Sequence, residues 1–553
     1  MSLDAANLQQ QLKIQPVFCQ LLVQRGIKTF EEAKTFFRPS LEHLHDPFLM
    51  KDMDRAVERI DKAIAQKEKI LVYGDYDVDG TTSVALVYSF FKNHYKWIDY
   101  YIPNRYTEGY GISTQGIDYA KEHGYTLIIA LDCGIKSVDK VDYAKKLGVD
   151  FIICDHHLPD EQIPKAIAVL DPKRPDCKYP YKELSGCGIG FKLIQAWSKL
   201  HVITMEELRH YLDLVVVSIA SDIVPITGEN RVMAHFGLQI INHNPRPGLQ
   251  ALINLSGVKR DLNISDIVFV IGPRINAAGR MDDAKEAVKL LVSEHADHAF
   301  DNAEELNKKN FERREHDKGI TEEALEMLRS NEEEISKKTT VLFRPHWHKG
   351  VIGIVASRLI EQYYRPTIIL TESQGVISGS ARSVPGFDIY SAIQKCSDLL
   401  DQFGGHMFAA GLTMKPENVD AFKAKFEKVV SESIDETLLV PEISIDAELE
   451  LEDITENFYN ILKQFAPFGP ANMKPVFVTR NVIDKGARIV GDDHIKFKFG
   501  LKNKKEAFIS GIGFGMASKF DHIEDNVFDV CYTVEENEWR GNKSIELLVK
   551  EVK

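Results

Sequence analysis

Three carboxylates stand at alternate positions in Gly74-Asp75-Tyr76-Asp77-Val78-Asp79-Gly80, directly after the apolar run Lys69 to Tyr73. In an extended chain alternate side chains share one face. Three charges crowded on one side repel unless cations lie between them, and hard divalent ions with oxygen ligands suit that role. An EF-hand calcium loop fails on detail, because the twelfth position from Asp75 is Leu86, where such a loop needs a bidentate Glu. A second group comprises Leu131-Asp132-Cys133-Gly134 and Asp155-His156-His157. Adjacent histidines on an extended chain point to opposite sides, so one can ligate a metal while the other faces substrate. Asp222 follows the helix-like run Tyr211 to Ala220, which Pro225 terminates. Asp75, Asp77, Asp79, Asp132, His156 and Asp222 supply enough ligands for two divalent cations, with Mn2+ and Mg2+ both suited to mixed nitrogen and oxygen donors. A two-metal site activates water and stabilises the attacking and leaving oxygens, so phosphoester hydrolysis is the predicted reaction class.

The elements that must position these groups repeat one pattern. Apolar runs end in an acid at Lys69 to Tyr73 before Asp75, Leu127 to Leu131 before Asp132, Phe151 to Cys154 before Asp155 and Ile167 to Leu170 before Asp171. That alternation with helix-like sequence predicts a parallel sheet with crossover helices, whose ligands bind at the carboxyl ends of the strands. From Glu286 to Lys337 the chain is rich in Glu, Lys, Ala and Leu without proline, which predicts one long helix or two joined ones as a connector. Thr339 to Phe343 and Thr367 to Leu370 begin a second, smaller α/β unit. After Glu442, short runs such as Val476 to Val478, Ile495 to Phe499, Ala507 to Ile512 and Ile545 to Val549 predict a small β-barrel.

A chain of 553 residues is too long for one hydrophobic core, and we divide it into segments 1–47, 48–285, 286–337, 338–435 and 436–553. Apolar content of 44% and charged content of 27% exclude disordered and fibrous classes. The start lacks the basic and apolar regions of a signal peptide and no 18-residue apolar run follows, so a cytoplasmic protein without membrane association is expected. Seven scattered cysteines contain no Cys-x-x-Cys pair and indicate neither a disulfide framework nor a zinc ribbon. The net charge of -14 argues against a nucleic-acid partner, but a carboxylate metal site contributes acids that its cations neutralise, and a local basic groove is compatible with the rest.

Cations and small residues outside the metal motifs are candidates for substrate handling. Arg105, Arg274 and Arg280 sit at predicted element ends of the first lobe, and guanidinium groups match phosphate bidentately. Ser378-Gly379-Ser380-Ala381-Arg382-Ser383 and Gly404-Gly405-His406 offer amides that can approach a phosphate. Phe497 and Phe499 alternate with Lys496 and Lys498, a pattern that can stack bases on one face of a strand, although alternating aromatics are more often core. Gly186-Cys187-Gly188-Ile189-Gly190 reads as a loop or helix-packing feature rather than a dinucleotide site, and His346-Trp347-His348 lacks neighbouring carboxylates for a further metal.

Asp75-Tyr76-Asp77-Val78-Asp79-Gly80, Asp132-Cys133-Gly134 and Asp155-His156-His157 resemble the DHH phosphoesterase superfamily. Ala220-Ser221-Asp222-Ile223-Val224-Pro225, Gly228-Glu229-Asn230-Arg231, Gly272 to Arg280, Trp347 to Arg358 and Gly404 to Gly411 are similar to its RecJ family, the last two to the accessory DHHA1 domain. The resemblance implies an α/β protein: a parallel-sheet DHH domain joined by a long helix to a smaller α/β DHHA1 domain, plus a C-terminal β-barrel like an oligonucleotide-binding fold. It also implies a processive exonuclease degrading single-stranded DNA from its 5′ end to mononucleotides in recombination and repair, a monomer working with a RecQ-type helicase and a single-strand-binding protein. Asp132 would bridge the two ions, His157 would contact the scissile phosphate or leaving oxygen, Asp155 would orient an imidazole, and Ser380, Arg382, Gly405 and His406 would hold substrate phosphate. A phosphodiesterase acting on short oligonucleotides or cyclic dinucleotides is the alternative, and the long tail disfavours it. A non-catalytic DNA-binding scaffold ranks third, since every expected ligand position is filled.

Overall fold

The computed structural model describes residues 2–281, 283–373, 375–501, 504–524, 526–539 and 541–553. Two compact units form, one from Met1–Pro103, Glu108–Gly272 and Ser444–Lys553, the other from Asn104–Thr107 and Pro273–Ile443.

In the first unit, strands β1 (Lys69–Gly74), β2 (Ile98–Tyr101), β3 (Tyr125–Leu131), β4 (Asp150–Cys154) and β5 (Ala168–Leu170) form a sheet of order β2-β1-β3-β4-β5. All four pairings are parallel. The strands are runs of Ile, Leu, Val and Ala buried on both faces, as a sheet covered on both sides requires. Helices α6 (Thr114–Glu122) and α7 (Val138–Lys146) cover one face, where Ile117, Ala120, Val141 and Ala144 pack on Leu71, Ile128, Ala130 and Ile153. On the other face lie α4 (Met53–Gln66), α5 (Val78–Lys92) and α8 (Gly186–Leu200). Gly190 allows α8 close approach, because a Cβ there would fall 3.2 Å from Val87 and 3.3 Å from Leu131.

The C-terminal part of this unit is a seven-stranded sheet of β11 (Ala447–Glu448), β12 (Phe477–Ile483), β13 (Arg488–Val490), β14 (His494–Leu501), β15 (Lys504–Gly513), β16 (Val527–Trp539) and β17 (Asn542–Val552). Its order is β11-β12-β16-β17-β15-β14-β13, and a single bridge, Asp484–Phe499, returns the chain after β12 to β14. Phe497 and Phe499 are fully buried and stack on each other with centroids 5.0 Å apart. They are core, not the exposed base platform the alternation allowed: a period of two defines a face without saying which face meets water.

Residues 1–47 complete that core. Apolar residues of α1 (Leu3–Leu12), α2 (Pro16–Gln24) and α3 (Phe30–Phe37), among them Leu8, Phe18, Leu22 and Ala33, join Phe458, Phe465, Phe477 and Phe497 in one buried cluster. Arg231, 4% exposed, fastens the arrangement by donating to the carbonyls of Phe36, Gln464, Phe465, Ala466 and Pro467, with its guanidinium 3.8 Å from the Phe36 ring centroid.

The second unit holds β6 (Thr340–Phe343), β7 (Thr367–Ser373), β8 (Val376–Arg382), β9 (Gln402–His406) and β10 (Ala409–Met414) in the order β6-β7-β8-β10-β9. Only the β6–β7 pair is parallel. The stretch read as a connector contains a helix, Ala296–Arg329, that lies wholly within this unit, where Ile320, Ala324 and Leu328 pack on Trp347, Val351 and Val355. Among the described residues no helix is long and apolar enough to cross a membrane, and all seven cysteines are free thiols.

Removing a ring from the C-terminal core leaves a cavity, so Phe497→Ala is expected to lower stability by about 3–5 kcal/mol. Urea unfolding monitored by circular dichroism checks this; a loss below about 1 kcal/mol would contradict a core placement.

Candidate metal centre

Parallel register sets the acids side by side. Gly74 pairs with Leu131, Leu131 with Cys154 and Cys154 with Leu170, so Asp75, Asp132, Asp155 and Asp171 are the next residues in line across four strand ends. The ladder runs one step further, through Asp132 N to Cys154 O at 2.9 Å and Asp155 N to Leu170 O at 3.1 Å. Asp132 then turns into the left-handed region at φ +59°, a conformation that costs a residue with a Cβ on the order of 1 kcal/mol.

Asp75, Asp77 and Asp79 do not alternate along an extended chain. The strand stops at Gly74 and a helix starts at Val78, with Asp77 as its N-cap accepting from Gly80 N at 3.0 Å and Asp79 in the first turn. A preference for Asp at caps explains why the helix begins there. Asp75 is buried and accepts from Gly111 N at 3.2 Å. Asp79 is held by the N-terminus of α8, whose Gly186 and Cys187 amides donate at 2.7 and 2.8 Å, and by the Ser218 hydroxyl at 2.7 Å. Sequence reasoning missed these three partners, although the glycine-rich start of α8 marked the place.

His156 is the hub. Its Nε2 lies 3.1 Å from Asp132 Oδ1, 3.5 Å from Asp222 Oδ2 and 3.8 Å from Asp79 Oδ2. Yet neither ring nitrogen, nor Asp132 Oδ1, makes a hydrogen bond, although all three are buried. Donors left unpaired inside a protein are costly, and a spacing near 3 Å is what neighbouring ligands around one ion at about 2.1 Å require. Two donor groups fit a metal ion, Asp79–His156–Asp222 and Asp132–His156–His157; among the described residues Asp75 and Asp77 fall outside both.

Electrostatics point the same way. Burial and then the charges of Asp79, Asp77 and Asp222 lift the Asp132 carboxyl well above the usual carboxylate range. Burial followed by Asp79 and Asp77 pushes Asp222 up to about 8, and burial and Asp79 raise Asp77. Asp222 also caps the C-terminus of the helix Leu212–Ser221, the end whose dipole repels an anion. Cations would relieve all of these at once.

His157 is wired differently. Its Nδ1 meets Asp155 Oδ1 at 2.7 Å, while Asp155 also accepts from the amides of Ile135, His156 and His157. Burial opposes both charges, but the hydrogen bond and charge of the pair prevail, holding Asp155 down at about 2 and raising His157 to about 9. His157 Nε2 lies 3.2 Å from the Tyr110 hydroxyl, which donates to the Asp132 carbonyl at 3.3 Å. Both rings keep a solvent-facing side, with Tyr110 55% exposed.

The expected substrate residues gather in the second unit. Arg105 belongs there and not to the first lobe, because Tyr106 in the same short segment donates to the Arg280 carbonyl. Arg274 and Arg280 also belong to the second unit and not to the first lobe, near the two ends of the helix Gly272–Met281, and Arg280 Nη1 donates to Gly350 O at 3.1 Å. Arg382, Ala409 and His406 stand abreast across β8, β10 and β9, and Arg382 Nη1 donates to Ser380 Oγ at 3.1 Å. Burial and then Arg105 lower the Arg382 pKa, while burial and then Arg382 lower that of His406, so two guanidinium groups and an imidazole favoured in its neutral form share one neighbourhood. Gly405 is obligatory at φ +144°, where a Cβ would fall 2.3 Å from the Ala409 carbonyl oxygen. Arg274 stands apart, bonded to Asn307 at 3.0 Å. His346 and Trp347 both bond Glu323, at 3.0 and 2.8 Å.

A Cβ at Gly186 would fall 2.6 Å from the Asp132 Cβ and 2.9 Å from its Oδ1. Gly186→Ala is therefore expected to displace Asp132 and weaken Mn2+ binding about 10–100-fold while the circular dichroism spectrum is kept. Titration calorimetry decides it, and wild-type affinity would refute the contact.

Residues 69–219 match the DHH family, N-terminal domain, residues 336–432 the DHHA1 domain and residues 445–551 the RecJ OB domain. The single-stranded-DNA-specific exonuclease RecJ of Bacillus subtilis is 36% identical over 99% of this chain and 69% of its own length. That of Salmonella typhimurium is 32% identical over 97% and 96%. The crystal structure of RecJ in complex with Mn2+ from Thermus thermophilus superposes with a TM-score of 0.85 at 26% identity, covering 100% of this chain and 78% of that one. With a relative this similar matched over nearly its whole length, and domain matches in the same order along the chain, the protein belongs to the RecJ family.

Proposed function

We propose that the chain is a metal-dependent exonuclease that hydrolyses single-stranded DNA from its 5′ end to mononucleotides. The observation that carries the reading is that the buried His156 nitrogens and Asp132 Oδ1 lack hydrogen-bond partners and lie among the carboxylates gathered at the carboxyl ends of the strands. Asp79, Asp132, His156 and Asp222 would hold divalent cations, Mn2+ or Mg2+, with Asp75 and Asp77 close by on the turn that leads from β1 into α5. Bound there, the cations would supply Lewis acidity at the phosphoryl group and water of lowered pKa.

The chain's own groups do the rest. Asp155 keeps His157 protonated near neutral pH and fixes its ring, so Nε2 carries a proton and a positive charge toward a scissile phosphate or a departing oxygen. Tyr110 lies beside that proton and steadies the ring from the other side. In the second unit, Arg105, Ser380, Arg382 and His406 supply donors for a substrate phosphate, and Gly405 allows the backbone to come close. On this reading the protein works in the cytoplasm in recombination and repair, as a monomer, with a RecQ-type helicase and a single-strand-binding protein as partners.

Two outcomes test it. A long single strand labelled differently at each end should lose mononucleotides from its 5′ end in Mn2+, with its duplex spared, and a chelator should stop the reaction; loss from the 3′ end first would refute the polarity. Asp132→Ala should lower turnover at least about 10³-fold with the fold retained, and a variant keeping most of the rate would remove Asp132 from the centre.

A further inference from the structure

Behind Asp79 stand two serines with no exposure, Ser218 on the helix Leu212–Ser221 and Ser185 at the N-cap of α8. Ser218 Oγ lies 2.7 Å from Asp79 Oδ1 and 2.6 Å from Ser185 Oγ, and Ser185 Oγ accepts from Gly188 N at 3.1 Å. A hydroxyl has one proton to give, and an ionised carboxylate can only accept. Ser218 therefore donates to Asp79 and Ser185 donates to Ser218, so this chain of hydrogen bonds has a fixed direction that ends on Oδ1.

The two oxygens of Asp79 are then unequal. Oδ1 accepts from Cys187 N at 2.8 Å and from Ser218, with the Ser83 hydroxyl further off at 3.4 Å. Oδ2 accepts from Gly186 N at 2.7 Å and lies 3.8 Å from His156 Nε2. Each carboxylate oxygen has about two lone-pair sites, so Oδ1 is filled and Oδ2 keeps one for a cation. The helix that supplies Ser218 also positions Asp222 four residues on, a spacing that puts both on one face, and Asp222 N donates to Ser218 O at 2.9 Å. Asp79 and Asp222 share one donor group with His156, so a single helical turn sets how its two carboxylates stand to each other.

We infer that Ser218, backed by Ser185, is a positioning residue that limits Asp79 to binding through Oδ2 alone and so selects small octahedral cations over Ca2+. The inference rests on the metal-dependent reading of this centre and concerns which ions it admits. Mg2+ demands near-ideal octahedral geometry at about 2.0–2.1 Å, whereas Ca2+ takes about 6–8 oxygens at about 2.3–2.6 Å and can hold a carboxylate by both of its oxygens. A carboxylate with one oxygen to give suits the first ion and leaves the second short of ligands. Without the Ser218 hydroxyl, Oδ1 regains a lone pair and the group is able to present both oxygens.

Titration calorimetry on the full chain, with MnCl2 and separately with CaCl2, tests this without any turnover. The wild type is expected to bind Mn2+ more tightly than Ca2+, and Ser218→Ala to raise the affinity for Ca2+ relative to Mn2+ about tenfold. Ser218→Thr, which keeps the hydroxyl, should return the ratio to that of the wild type. A merely structural role for Ser218 would weaken both ions together, and an unchanged ratio in Ser218→Ala overturns the inference while the metal centre stands. A threonine variant that discriminates no better than the alanine one also overturns it. A wild type that binds neither ion removes the metal-dependent reading and this inference with it.

Discussion

Three buried carboxylates, the partly exposed Asp222 and one buried imidazole meet at the strand ends, and the first unit is organised around keeping them there. Like charges about 4 Å apart repel by about 4 kcal/mol at an effective dielectric constant near 20, so each anion needs a fixed counterweight or an ion. Asp79 receives the first amides of α8 and the Ser218 hydroxyl. Asp155 receives three amides and the His157 ring. Asp132 and Asp222 have no comparable relief and face His156. The division is chemical: the compensated acids hold the scaffold and the imidazole, and the uncompensated ones create the demand for cations. The left-handed turn at Asp132 and the bare Cα of Gly186 beside it are the local distortions that this packing requires.

Much of this could be read along the chain because parallel strands leave an unusually clear trace. A doubly buried strand is a short run of β-branched and aliphatic residues, and an acid comes directly after each, so Asp75, Asp132, Asp155 and Asp171 announced both the sheet and the end at which the acids gather. The triple-aspartate motif was legible as a site but not in its geometry, since the sequence does not mark whether the chain stays extended or enters a helix at Val78. Asp77 serving as an N-cap is the detail that decides it.

What escaped the sequence was long-range. The four residues Asn104–Thr107 sit in the second unit because of one tyrosine hydroxyl and a backbone carbonyl far along the chain, and no local pattern encodes that. Arg231 was noticed as part of a motif, but its role as a donor to five carbonyls from two distant segments depends on tertiary contacts alone. Phe497 and Phe499 show the converse limit: alternation identified a two-faced strand correctly, and the core that this strand shares with Phe528 and the N-terminal helices determined which face is dry.

That packing has a consequence for biosynthesis. Helices α1–α3 are made well before the C-terminal strands with which their apolar faces share a core. At about 5–20 residues per second, roughly 25–100 s separate the two. For that interval Leu8, Phe18 and Leu22 have no native surface to cover them, while the parallel sheet between can already assemble. Until those strands emerge, the apolar faces of α1–α3 stay uncovered, a state in which a chaperone would find its natural client.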